Sequence, residues 1–320
     1  MRRKCSIMLL SLKGGELMKK TVSLLLAFML CVSLIGCSNQ KAPESTSVQI
    51  DYGAATVSYL GPEGTYTQEA CEKFFDGKGS YFPYETVPNA VQALTEGKSN
   101  YAVIPQENTT GGAVIDYVDT LIASENVSVV GEVELPISQN LLVLPGTALG
   151  DIKTVYSHKQ GIAQGKEWLK NNLPEAEVIE ASSTAEGAKT VAEGKDKSCA
   201  AIASAGCADV YGLEILAAGI QNNDKNKTRF YVLSKDVPAT AASDRLAFIA
   251  SGSAKDLPKL TAEMDKLGIT LVALHDRPEK TELGNYHYLI ECSACSYENY
   301  QKLTEGSDYT FRYLGSFSVK

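Results

Sequence analysis

Four short segments of this chain concentrate hydroxyls, carboxamides and glycines beside apolar runs. They are Gly61-Pro62-Glu63-Gly64-Thr65-Tyr66-Thr67, Pro105-Gln106-Glu107-Asn108-Thr109-Thr110-Gly111-Gly112-Ala113, Ser157-His158-Lys159-Gln160-Gly161 and Asn226-Lys227-Thr228-Arg229-Phe230. In α/β sheets, loops of this kind converge at the carboxyl ends of the strands, where ligands bind. Paired glycines admit a ligand to the backbone, and the free N–H groups of a helix start favour an anion. Thr228 beside Arg229 suits a substrate with two negative charges: the arginine binds or orients a carboxylate and the threonine donates a proton. Taken singly, each segment also fits a capped turn or a strand entry. Thr67 fits a helix cap, and His158, with no carboxylate partner legible in the sequence, is assigned no role. No GxxxxGK[ST] and no GxGxxG segment occurs, and no Ser/His/Asp or metal-ligand constellation can be assigned. Together the four loops read as a small-anion site that needs neither cofactor nor metal.

The elements that must position these loops follow from hydrophobic periodicity. Strands are expected at Thr56–Leu60, Tyr101–Ile104, Val127–Val133, Leu141–Leu144, Thr154–Tyr156, Val178–Ile179, Ala200–Ala203 and Arg229–Ser234. Helices are expected at Thr67–Phe75, at Asn89–Glu96 with an Asn cap, at Ala113–Ala123, around Gly161–Leu169 and at Ala185–Ala192. This alternation predicts α/β sheets covered by helices. Pro238–Ser243 reads as a small-residue linker. Beyond it the order strand, helix, strand, strand, helix, strand (245–250, 255–267, 269–274, 286–291, 297–303, 310–315) is the ferredoxin-like βαββαβ.

The chain has 320 residues, 44% of them apolar and 21% charged, with a net charge of −8. That composition excludes disorder and a polytopic membrane protein, and the acidic balance argues against a nucleic-acid partner. The charge is uneven. Residues 1–36 hold six basic residues and one acidic residue; the remainder holds 24 basic and 37 acidic, a net −13. Any steering of an anion must therefore be local, from residues such as Arg229. Residues 18–37, MKKTVSLLLAFMLCVSLIGC, have the positive start, apolar middle and small-residue end of a secretory signal. The ending resembles a bacterial lipobox, which implies that Cys37 carries a lipid, with about 0.8 kcal/mol of tethering per buried methylene. Translation is expected to start at Met18. The expected layout is a signal peptide over 1–36, a tether over 37–54, an α/β domain over 55–236 and a small domain over 243–320. Outside the address five cysteines remain, an odd number that forbids a fully paired disulfide framework. Cys292 and Cys295 are expected on opposite faces of a strand.

Read together, the loops are recognisable. Tyr59-Leu60-Gly61-Pro62-Glu63-Gly64-Thr65-Tyr66, Pro105-Gln106-Glu107-Asn108-Thr109, Ser157-His158 with Gln160 and Ala163-Gln164, Ser183-Thr184-Ala185, Ala201-Ile202-Ala203-Ser204, Tyr211-Gly212-Leu213-Glu214 and Asn226-Lys227-Thr228-Arg229-Phe230 stand in an order and spacing that resembles prephenate dehydratase followed by an ACT regulatory domain. The resemblance spans Thr56 to Phe317. It implies a two-lobed, periplasmic-binding-protein-like α/β domain with the site in the cleft and the chain crossing twice between lobes. It also implies decarboxylative dehydration of prephenate to phenylpyruvate without a cofactor. By resemblance, Thr228 donates a proton to the leaving hydroxyl, Arg229 places Thr228 or a carboxylate, and Phe230 completes the catalytic motif. Thr65, Asn108, Thr109, Ser183 and Thr184 would bind substrate. Thr109 stands where the family often has serine, and Lys159 and Gly165 replace a usual proline and cysteine.

In the small domain the resemblance implies a regulatory site for L-phenylalanine at Arg277 and Pro278. There the family's Gly-Ala-Leu turn is replaced by Lys255-Asp256-Leu257, and its Glu-Ser-Arg-Pro stretch by His275-Asp276-Arg277-Pro278. A dimerising or structural role is the alternative. The family habit implies a homo-oligomer, and the address implies a lipid-anchored protein on the outer face of the cell membrane. Two other functions fit the same sequence: a tethered receptor or sensor for a small anion, and a dehydratase acting on arogenate.

Overall fold

In the computed structural model, which describes residues 50–320, successive residues of the central strands point into different cores. Strand β3 (Tyr101–Asn108) sends Ala102 and Ile104 to one side and Tyr101 and Val103 to the other, and β11 (Lys227–Ser234) divides Tyr231 and Leu233 from Phe230 and Val232 in the same way. A strand that is buried on both faces reads as a continuous apolar run, which is why these were legible. They lie in a sheet ordered β2-β1-β3-β11-β5, with β1 at Thr56–Leu60, β2 at Ser80–Tyr84, β5 at Ser128–Pro136 and the two-residue β4 (Gly112–Ala113) pairing with β3. Helix α1 (Tyr66–Phe74) covers one face, and α2 (Val87–Thr95) and α3 (Ile115–Ala123) cover the other.

A second sheet, β10-β6-β9-β7-β8, forms the other lobe. Its strands are β6 (Asn140–Val143), β7 (Thr154–Ser157), β8 (Glu177–Glu180), β9 (Cys199–Ala203) and β10 (Glu214–Ala217). Helix α4 (Lys159–Asn172) packs on Ala200 and Ile202 of β9, while α5 (Thr184–Gly194) and α6 (Gly206–Tyr211) pack on Ala201 and Ala203. The chain passes between the lobes after β5 and returns before β11, giving the two-lobed α/β architecture with two crossings.

Strands β12 (Arg245–Ser253), β13 (Thr270–Pro278), β14 (Asn285–Ser293) and β15 (Thr310–Phe317) form an antiparallel sheet ordered β13-β14-β12-β15, with helices α7 (Leu257–Lys266) and α8 (Tyr297–Thr304). This is the ferredoxin-like arrangement. Its other face is not solvent-exposed: Ala247, Ile249, Leu289, Leu314 and Phe317 share one core with α2, α3 and β11 of the first lobe. The described residues, 50–320, belong to a single compact unit.

The structure departs from the sequence expectations in definable ways. β2 and β10 were not anticipated. Both are short edge strands with most of their side chains exposed, and Pro83 in β2 is tolerated because an edge strand need not donate on both sides. Helix α2 begins two residues before the expected Asn89. Thr86 is its cap, accepting from the Asn89 backbone N–H at 3.2 Å, and Pro88 sits in the first turn. Ile50 and Tyr52, which the sequence reading placed in the tether, pack on the first lobe, Tyr52 edge-on to Phe75. Cys292 and Cys295 join one core instead of opposite faces, since Ala294 takes a left-handed conformation (φ 52°) that turns the chain after the strand. The signal peptide, Cys37 and the start of the tether lie outside the described residues. Among the described residues, no helix is long and apolar enough to cross a membrane.

Candidate active site

Thr228 enters β11 directly opposite Asn108 at the end of β3. The Asn108 carboxamide donates from Nδ2 to Thr228 Oγ1 at 2.8 Å. Its orientation is fixed from behind, because Oδ1 accepts the backbone N–H groups of Thr110 and Gly111, each at 2.9 Å. With an N–H pointing at it, the Thr228 oxygen acts as acceptor and its own proton is free to point elsewhere. Thr228 lines a cleft of about 460 Å³ between the lobes.

The walls of this cleft are assembled from helix starts. Thr65, Tyr66 and Thr67 bring the start of α1, Val114 that of α3, His158, Gln160 and Gly161 that of α4, and Ser183 and Thr184 that of α5. Each start carries roughly half a positive charge and unpaired N–H groups. Neither Thr65 nor Val114 caps its own helix through a side chain, whereas Ser183 accepts from Glu186 N–H at 3.0 Å. Among the described residues, no Asp, Glu, Lys or Arg lines the cleft. Positive potential for an anion comes from backbone dipoles, which cost no reorganisation when the ligand arrives.

Arg229 is therefore not the local steering charge that the sequence suggested. Residues alternate along a strand, so Thr228 and Phe230 face the cleft while Arg229 faces away. Its guanidinium holds Glu132 in a two-pronged pair, Nε to Oε1 at 2.9 Å and Nη2 to Oε2 at 2.8 Å, and also meets Glu107 and Glu291. Burial opposes the charge of Arg229, but hydrogen bonds to Glu132 and the Glu291 carboxylate more than offset it and hold its pKa above the ordinary value. Phe230 is a buried wall of the cleft and offers no reacting group. Thr109 does not line the cleft. It latches the loop to β11, donating from Oγ1 to the Lys227 carbonyl at 2.9 Å and accepting the Lys227 N–H at 2.8 Å. Thr65, Asn108, Ser183, Thr184 and Thr228 all line this cleft; Thr67 lines it too, one residue inside a helix that Thr65 opens.

Sequence reasoning gave no role to three glutamines. Gln160 and Gln164 sit on one face of α4, four residues apart, and Gln139 donates to Gln164 at 2.8 Å; all three line the cleft. The i, i+4 spacing was a readable signal. Gly111 makes room for this side: a methyl there would lie 2.5 Å from Gln160 Nε2. In the small domain, Arg277 is paired with Asp119 of α3 (Nε to Oδ1 2.5 Å, Nη2 to Oδ2 2.9 Å), and Pro278 ends β13 at an exposed position.

A two-lobed α/β protein with a threonine hydroxyl and four helix starts facing an uncharged cleft defines a class: proteins that bind a small anion and can pass it a proton. The prephenate dehydratase family model matches residues 57–238. A bifunctional chorismate mutase/prephenate dehydratase of Neisseria gonorrhoeae is 36% identical over 74% of this chain and 66% of its own length. The chain thus spans about two thirds of that relative. The prephenate dehydratase of Lactococcus lactis subsp. lactis is 34% identical over 73% of this chain and 85% of its own. Among solved structures, a prephenate dehydratase of Arthrobacter aurescens in complex with L-Phe superposes with a TM-score of 0.74 at 26% identity, covering 82% of this chain and 89% of that one. A structure described as GqqA, a novel type of quorum quenching acylase, has a TM-score of 0.75 at 22% identity over 82% of this chain and 98% of its own, a likeness of fold. The chain belongs to the prephenate dehydratase family.

Proposed function

We propose that this protein converts prephenate to phenylpyruvate, carbon dioxide and water, acting as a carbon–oxygen lyase in the synthesis of phenylalanine. The observation that carries the reading is the Asn108–Thr228 pair, a hydroxyl whose oxygen is occupied and whose proton is free inside an anion-binding cleft. As the ring carboxylate leaves as carbon dioxide, its bonding electrons flow through the ring and expel the hydroxyl, which departs as water with one added proton. Aromatisation drives the step. A free threonine is a very weak acid, so Thr228 works by a hydrogen bond that strengthens as negative charge gathers on the departing oxygen. The helix starts hold the two carboxylates. A cleft without Asp or Glu among its described lining residues offers no carboxylate partner to the ammonium group of arogenate, which favours the keto acid.

Purified protein incubated with prephenate should produce phenylpyruvate, read by its absorbance. Saturable binding without turnover would replace the enzyme by a receptor. The same assay with added L-phenylalanine reads whether the small domain transmits a signal. We also propose that Cys37 is lipidated and anchors the protein outside the cytoplasm. The support is the run of residues 18–37, and the check is incorporation of labelled fatty acid that is lost in Cys37→Ala.

The pH dependence of kcat is a further expected result. Tyr66 and His158 are the titratable side chains among the lining residues. Burial raises Tyr66 far above its ordinary value, while burial and then Lys159 lower His158. Neither ionises between about pH 7 and 9, so kcat should be flat across that window. The fold prefers neutral His158. That contribution to stability is full above the ordinary histidine value of about 6.5 and is lost as pH falls below it. A limb in the kcat profile between pH 7 and 9 would contradict this account of the cleft.

A further inference from the structure

Glu291 belongs to β14 of the small domain, yet its carboxylate is 1% exposed and is held mainly by residues of the first lobe. Gln106 Nε2 donates to Oε2 at 2.7 Å, Tyr231 Oη donates to Oε2 at 2.5 Å, and Arg229 Nη2 donates to Oε1. Arg245, from the small domain, stands 3.2 Å from Oε1. Arg229 then carries the connection on to Glu132, which is fully buried.

The three first-lobe partners flank one irregularity. β3 pairs with β11 through Pro105↔Phe230, Glu107↔Arg229 and Asn108↔Thr228, so Gln106 is an extra residue, a bulge. In a regular strand, residues three apart face opposite sides. Pro105 and Asn108 nevertheless both line the cleft, because the bulge resets the alternation between them. The same reset lets the consecutive Gln106 and Glu107 both reach the far face, where Glu291 binds the first and Arg229 the second. Without the bulge, the register would shift by one residue and Asn108 would turn away from Thr228.

We infer that Glu291 is a positioning residue for Thr228: the small domain reaches through the sheet and fixes the bulge that sets Asn108 opposite the hydroxyl. The inference rests on the prephenate reading only for its kinetic test. In the full-length chain, Glu291→Gln keeps the shape and removes the charge that Arg229 requires. It should lower kcat at least about tenfold while KM stays within about threefold. Arg245→Gln removes a charge from the same cluster while leaving in place the hydrogen bonds of Glu291 to the first lobe, and should keep kcat within about twofold. Equal losses of kcat in both variants, in step with falling Tm, would reduce Glu291 to a stabilising role and overturn the inference; so would wild-type kcat in folded Glu291→Gln.

If Glu291→Gln does not fold, Gln106→Met, which cuts the β3 connection without changing charge, takes its place, with about a threefold loss of kcat expected and wild-type kcat overturning the idea. A readout without turnover separates this inference from the functional one. The side-chain amide NMR signals of Asn108, identified by their loss in Asn108→Asp, should shift in Glu291→Gln and stay in place in Arg245→Gln. A wild-type protein inactive on prephenate would sink the functional reading alone, and unmoved Asn108 signals would sink this one.

Discussion

Thr228→Ala should lower kcat for prephenate by about a hundredfold to ten-thousandfold, the range that a positioned proton donor contributes. Little else should change. Thr228 is buried, and removing its hydroxyl strands the Asn108 N–H. That loss costs about 1 kcal/mol, a Tm shift of about 2–4 °C in a body of this size. Thr228→Ser restores the oxygen that Asn108 addresses, but the serine rotates more freely without its methyl group. It should recover kcat to within about tenfold of wild type. Rates of phenylpyruvate formation, beside thermal melts of the three proteins, make the comparison. A kcat for folded Thr228→Ala within tenfold of wild type would remove the threonine from the chemistry.

Asn108→Asp should have the second-largest effect, and for a different reason. One carboxylate oxygen can still accept the Thr110 and Gly111 N–H groups. The other now faces Thr228 as an acceptor, so it takes the threonine proton that the substrate needs. It also puts a negative charge into a cleft that has no acidic side chain among its described lining residues and that we propose binds a dianion. Both losses act together: kcat/KM should fall by at least about a hundredfold, with KM rising and kcat falling. A kcat loss with unchanged KM would mean that the substrate's carboxylates bind far from Asn108. The two substitutions share one hydrogen bond, so their effects should not add; the double variant should lose little more than the worse single one.

The loops were legible in the sequence because their composition is unusual for plain turns. Thr65 and Asn108 lie in those loops, whereas Ser183 and Thr184 became candidates only through the family resemblance. Thr228 and Arg229 were legible as residues, but which side of the strand each faces was not. The strand was expected to begin at Arg229, which left Thr228 in a loop, where no alternation rule applies. The strand in fact begins at Lys227, and once Thr228 is inside it, period two sends the arginine to the opposite face. Thr109 was misassigned for a related reason. Its hydroxyl is spent on the Lys227 backbone, a partner 118 positions away that only strand pairing brings near.

Periodicity and turn chemistry are local, and they determined most of the strand and helix series, the α/β class, the ferredoxin-like order of the small domain and the candidate loops; the two lobes were implied only by the family resemblance. Pairing register is not local. The bulge at Gln106 exists because β3 and β11, more than a hundred residues apart, pair on both sides of it. The same pairing decides that Asn108 meets Thr228 and that Arg229 meets Glu132. The burial of Glu291 is likewise a tertiary outcome. A glutamate in an otherwise apolar strand of the small domain reads as an ordinary surface position until the domain packs on the first lobe and surrounds it with two guanidinium groups, a carboxamide and a phenol. A buried carboxylate without such partners is costly enough to unfold or neutralise. The sequence thus determined which chemical groups are available for the reaction, while long-range pairing and desolvation, which have no short-range signature, decided which of them face the substrate and which hold the others in place.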